Sequence, residues 1–182
     1  VKHLSKPIPD GLAAWCREQT DAHMVMRKIA QIDRRLVIWC ACACAETAAP
    51  FVPTGEESVA TAIRAARGWV ARSATLKLVR QVSRRVRKAA SGAGSHALAS
   101  AALSAWKACF LVYAPDIAAP GAAADVVFYV ADATSFSQDP GQSDPAASAS
   151  SARFEQTYRS LCGVIADAVA TLPAERIKKE NS

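Results

Sequence analysis

The sequence predicts an all-α fold, a single-domain bundle of about seven helices, and three observations carry that expectation. Ala, Val, Leu and Ile supply most of an apolar fraction of 51%, and Ala is the strongest helix former. Apolar residues recur along most of the chain at the three- and four-residue spacing of one helix face. Alternating Val/Thr/Tyr runs, which would mark strands, are scarce. The 182 residues suffice for one ordinary domain spanning 1–182. Stacked helical hairpins are the other arrangement open to such a pattern.

The elements follow in order. Pro7-Ile8-Pro9 leads in, and Asp10 is the expected N-cap of a first helix over about 11–31. Its apolar stripe is Trp15, Ala22, Met26 and Ile29. Asp33 caps a second helix over about 34–49, which Pro50 and Pro53 stop. Thr54-Gly55-Glu56-Glu57 has the form of a capping box, with the Thr hydroxyl and the Glu57 side chain serving each other's backbone. It opens a third helix to about residue 72, with Val59, Ile63, Ala66 and Val70 inward. Ser73 or Thr75 starts a fourth helix to about residue 90, buried through Val79, Val82, Val86 and Ala89. Ser91-Gly92-Ala93-Gly94 should end it on a left-handed glycine. Ser95 caps a fifth helix to about Tyr113, stopped by Pro115. A sixth runs from Pro120 to about residue 134, since proline is tolerated in a first turn. Residues 135–150, rich in Ser, Asp, Gln, Pro and Gly, form a long surface loop. A seventh helix over about 151–171 carries Phe154, Tyr158, Leu161 and Ile165, and 174–182 is a polar tail.

Charge is distributed unevenly. Between Ser58 and Pro115 there is no Asp or Glu but ten basic residues, so twelve basic and sixteen acidic residues remain elsewhere. The whole net charge of +6 therefore resides in the middle third. On the fourth helix Lys77, Arg80, Arg84, Arg87 and Lys88 fall at spacings of three or four, opposite the valines. Like charges so placed repel by tenths of a kcal/mol per pair. Acids of other helices, or a ligand, are expected to offset that. One reading is a solvated face partly neutralised by Glu56, Glu57, Asp116 or Asp125. The other is a docking face for an acidic protein, with nucleic acid as the alternative. The helix itself holds no aromatic residue, which weighs against stacking of single-stranded bases.

Other constellations point to structure rather than chemistry. Cys40, Cys42 and Cys44 alternate, and residues two apart on a helix point about 160° away from each other, so the three cannot converge. With Cys16, Cys109 and Cys162 they are expected to be buried small hydrophobes in a reducing compartment. No metal and no cofactor is expected. His3, His23 and His96 have no nucleophile or acid at a triad-like spacing, and no catalytic residue is assigned. Glu46, inside an apolar helix, is expected to pair with a base such as Arg67. Trp15, Trp39, Trp69 and Trp106 lie on four predicted helices and are expected to anchor the core, with a shared pocket for a small ligand as the alternative. The opening Val1-Lys2-His3-Leu4 has no apolar leader. No apolar run approaches the roughly 20 residues of a membrane span. The expected location is the cytoplasm, without a membrane partner.

One resemblance can be placed on these residues. Asp33-Arg34-Arg35-Leu36-Val37-Ile38-Trp39, then Cys44-Ala45-Glu46 and Pro50, resembles the opening helix of the putative immunity proteins of bacterial polymorphic-toxin systems, the immunity protein five-like group. Ala62-Ile63-Arg64-Ala65-Ala66-Arg67-Gly68-Trp69 is similar to that group's second motif, and the Ala-rich stretch over 97–130 to its third. The third block departs from the group's pattern, with Lys107 and Tyr113 near positions where histidines are usual. No functional residue is therefore carried over. The resemblance, over about 33–132, implies a non-catalytic protein that binds and blocks a cognate toxin. Because this chain is basic, that toxin would present an acidic surface.

Overall fold

The computed structural model describes residues 8–137 and 147–172, and these form eight α-helices without a strand among them. They are α1 (Leu12–Glu18), α2 (Ala22–Ile32), α3 (Arg34–Glu46), α4 (Ser58–Val70), α5 (Leu76–Ser91), α6 (His96–Leu111), α7 (Ala119–Ser137) and α8 (Ala147–Thr171). The all-α expectation holds. The polar tail, His3 and the 138–146 part of the expected loop lie outside the described residues. The helices on either side reach further into that loop than expected, to Ser137 and from Ala147.

The expected first helix is two. Asp21 interrupts it, and its carboxylate accepts from the backbone N–H groups of His23 (2.9 Å) and Met24 (3.2 Å), so α2 starts on a cap of its own. Asp10 does not cap α1: Gly11 takes the N-cap position at φ 79°, a left-handed conformation that suits glycine. Thr54 and Glu57 form no capping box either. The chain turns on through Glu56, whose carboxylate receives the Ser58 N–H at 2.8 Å, and α4 begins only there. Gly92 ends α5 at φ −106°, an ordinary conformation rather than a left-handed one. Three caps stand where expected: Asp33 accepts from Leu36 N–H, Thr75 from Leu78 N–H and Ser95 from Leu98 N–H.

α3 is the central element, packed against α2, α4, α6, α7 and α8. The most extensive packing joins α6 to α7, both Ala-rich. Small side chains let those axes approach closely, and Ser100 and Ser104 are buried between them. Ser104 donates to its own helix, at Ala101 O, while Ser100 donates to Asp132 of α7, which His96 also meets at 2.7 Å. The buried polar atoms of this seam therefore have partners, as burial demands.

The tryptophans are not core anchors. All four are only partly buried and pack against the rim of the core. None of four cavities among the described residues is lined by more than one of the tryptophans. Trp15 lies beneath Lys28 (4.4 Å), Trp39 beneath Arg67 (4.8 Å) and Trp106 beneath Arg87 (4.8 Å). A cavity of about 500 Å³ is lined by Trp39 but by none of the other three. The largest side chains buried completely are instead Met26, Ile29, Leu36, Ile38, Leu111 and Ile165.

All six cysteines are free and buried. The alternating trio divides as helix geometry requires. Cys42 faces α4, its Sγ 3.9 Å from Ile63 O, while Cys40 and Cys44 face the side of Cys16 and Cys162. Burial pushes every one of these thiols up, Cys16 to about 11 and Cys44 and Cys109 to about 12, from an ordinary value of 9.0. Since the folded values exceed the unfolded one, their stabilising contribution is complete below about pH 9 and is lost as pH climbs toward about 12. The melting temperature should therefore fall above about pH 9, and fall less steeply in a Cys44→Ala/Cys109→Ala double variant. Parallel alkaline profiles of the two proteins in a thermal-melt series would refute this account.

Candidate docking surface

α5 owes its position to its neighbours on both sides. The turn from α4 is tight: Gly68 O accepts the N–H of Ser73 (2.7 Å) and of Ala74 (3.0 Å). A Cβ on Gly68 would stand only 3.0 Å from that of Ala74, so glycine permits the approach. Val79, Val82, Ser83 and Val86 are buried, which fixes the opposite face of α5 toward solvent. Lys77, Arg80, Arg84, Arg87 and Lys88 are all exposed on that side.

Three of the four acids named as neutralisers are engaged elsewhere. Asp116 pairs with Arg34 at 2.9 Å and Asp125 with Lys107 at 2.7 Å, and Glu56 receives Ser58 N–H. Glu46 pairs with Arg67 at 2.7 Å, as expected. Among the described residues no carboxylate forms an ion pair with any of the five α5 cations. The partial neutralisation expected from Asp116 and Asp125 is not made by ion pairs, since both pair with other bases.

What offsets the self-repulsion is an aromatic row that the sequence did not place there. α6 runs antiparallel beside α5 and carries Trp106, Phe110 and, just beyond its end, Tyr113, all partly exposed. Arg87 stacks over Trp106 at 4.8 Å and Arg80 over Tyr113 at 5.5 Å. The row is continuous, with ring centroids 6.0 Å apart from Trp106 to Phe110 and 5.3 Å from Phe110 to Tyr113. Each exposed cation–π contact contributes about 0.5–1 kcal/mol, against about 0.2–0.5 kcal/mol lost per like-charge pair. The terms are similar in size. Neither a ligand nor an acid is needed to stabilise the helix, contrary to expectation, yet its positive charge stays unneutralised.

The row is well braced. Tyr113 hydroxyl and buried Ser83 Oγ are 2.7 Å apart, which ties the ring to α5. Arg34 of α3 holds the turn that bears it, donating to Leu111 O at 2.9 Å, to Ala114 O and to Asp116. Because Arg80 lies on Tyr113, the N-terminal end of α5 neighbours the C-terminal end of α6. Three exposed apolar side chains belong to this end: Leu76 (38% exposed), Leu78 (44%) and Ile117 (92%), the last four residues beyond Tyr113.

The buried cysteines are held protonated by their surroundings, and thiols act as nucleophiles only as thiolates. No group of three or more His, Cys, Asp or Glu among the described residues is placed to hold a metal ion. No helix among the described residues is long and apolar enough to cross a membrane. Fold and surface thus define an all-α bundle with one exposed basic face backed by aromatic rings. No family model matches the chain, and neither a curated protein nor a solved structure matches it.

Proposed function

We propose that this chain is a non-catalytic interaction protein, an immunity-like inhibitor that binds an acidic toxin through the exposed face of α5. The observation carrying the proposal is that Lys77, Arg80, Arg84, Arg87 and Lys88 have no acidic partner among the described residues. Charge of one sign accelerates encounter with an acidic surface and sets orientation, while apolar anchors supply most of the affinity. Leu76, one turn before Arg80 on the same side of α5, and Ile117, four residues beyond Tyr113, provide such anchors. A phosphate backbone would gain nothing from them. The toxin class itself rests on the resemblance over 33–132, and charge fixes only the sign of its surface.

Nucleic acid is the second reading, favoured by the rings of Trp106, Phe110 and Tyr113 at the side of the cations. Arg80 and Arg87 already cover two of those rings, which limits base stacking upon them. The test is co-expression of this chain with the product of the reading frame next to its gene, followed by titration of the purified pair. Restored growth and a complex retained in moderate salt are expected. Failure to restore growth, or DNA binding whose log affinity falls linearly with log salt, would end the proposal or replace it with the second reading.

A further inference from the structure

The five cations of the docking face are not equivalent, and their differences point to the form of the partner. Arg80 and Arg87 are held on Tyr113 and Trp106, whose rings are themselves fixed by Ser83 and by the neighbouring Phe110. Lys77, Arg84 and Lys88 have no ring contact among the described residues. A side chain already immobilised loses less freedom on binding, so preorganised groups discriminate between ligands while mobile ones follow whatever charge arrives. The two held guanidinium groups are seven residues apart, about 10.5 Å along the helix axis at 1.5 Å per residue.

A second helix lying along α5 reproduces that interval with carboxylates seven residues apart, because both helices share one rise. Arg84 then meets an acid at the intermediate third or fourth position. An apolar side chain one turn further on would reach Leu76, which lies one turn before Arg80 on the same side of α5. Resting on the docking reading above, we infer that Arg80 and Arg87 are the specificity-determining pair, that Tyr113 and Trp106 are their positioning residues, and that the partner segment is an acidic amphipathic helix with one apolar end.

Fluorescence anisotropy of the full chain with three labelled probes tests this. The first is a helical peptide with Glu at i, i+4 and i+7 and Leu at one end. The second is a peptide of the same composition with its Glu residues spread around the helix. The third is a short DNA duplex. The first should bind at least about tenfold more tightly than the second, a difference of about 1.4 kcal/mol. Trp106→Leu/Tyr113→Leu should reduce that preference to about twofold, with the five charges kept. Should that variant fail to fold by circular dichroism, Arg80→Lys/Arg87→Lys keeps the charges but loses planar stacking and should reduce the preference likewise. Equal affinity for the two peptides on the wild-type chain overturns the helix inference while leaving the docking proposal standing. Tighter binding of the duplex than of either peptide overturns both. A preference that survives both sets of variants removes the positioning role of the rings.

Discussion

The Arg80→Glu/Arg84→Glu/Arg87→Glu variant is expected to lose partner binding by about a thousandfold or more while keeping its helical fold. Coupling energies of close interfacial charge pairs run from about 1.5 kcal/mol upward, and each reversal also replaces attraction with repulsion. Three such changes exceed the roughly 4 kcal/mol that a thousandfold loss represents. The same substitutions bring the formal net charge from +6 to zero, so steering is lost as well and the association rate falls. The cost to stability is far smaller. Two cation–π contacts disappear, about 0.5–1 kcal/mol each, while a Glu at 84 gains a favourable relation to Lys88.

Arg84→Glu against Arg85→Glu makes the comparison sharper. Both alter charge equally on α5, but Arg85 lies about 140° around the axis from Arg80, off the stripe. The first should weaken binding at least about tenfold and the second only about twofold. Equal losses in a titration would mean that bulk charge, not this face, governs the interaction. A triple variant that binds as the parent does would remove the surface altogether.

What the sequence made legible were features decided within one helix or its flanks. Asp33, Thr75 and Ser95 announce helix starts because a short polar side chain beside an apolar period has little else to do. The valine face of α5 and the opposed cations follow from 3.6 residues per turn alone. Glu46 and Arg67 could be matched because a carboxylate on an apolar helix demands a partner nearby. The failures lie where two local signals compete or where partners come from afar. Asp21 sits inside a continuous apolar period, so the break between α1 and α2 looks like one helix until its caps are seen. Glu56 and Glu57 offer the chain two ways to start α4, and the one taken uses Glu56. The aromatic row could not be foreseen, since its distance from α5 is set by how α6 packs. Lys107, at its edge, contributes to the same cluster while bonded to Asp125. A hint was present: Trp106, Phe110 and Tyr113 share one helical stripe, four and three residues apart, just after a basic helix.

Replacing Ile38 by Ala is expected to cost close to the upper limit of the usual range, about 4–5 kcal/mol, where large-to-Ala core changes span about 2–5. The reason lies in the composition of the surroundings. Ile38 is one of the few large side chains fully buried, on the helix that touches five others. Much of the core it belongs to is alanine, including Ala41, Ala45, Ala62, Ala66, Ala101, Ala105 and Ala108. Alanine has no rotamer with which to fill a hole, so the cavity persists and the full penalty applies. For a chain of this size about 1 kcal/mol corresponds to about 2–4 °C of melting temperature, giving a drop of about 10–15 °C. Ile38→Val should cost only about 0.5–1.5 kcal/mol. A loss below about 2 kcal/mol in urea titrations would show that the helices close over the hole. The consequence reaches the docking face through α3. Four residues before Ile38, Arg34 fastens the turn that carries Tyr113, and Tyr113 positions Arg80. Ile38→Ala should therefore weaken partner binding as the bundle loosens on warming, at temperatures below its own melting point, although Ile38 touches no part of the surface.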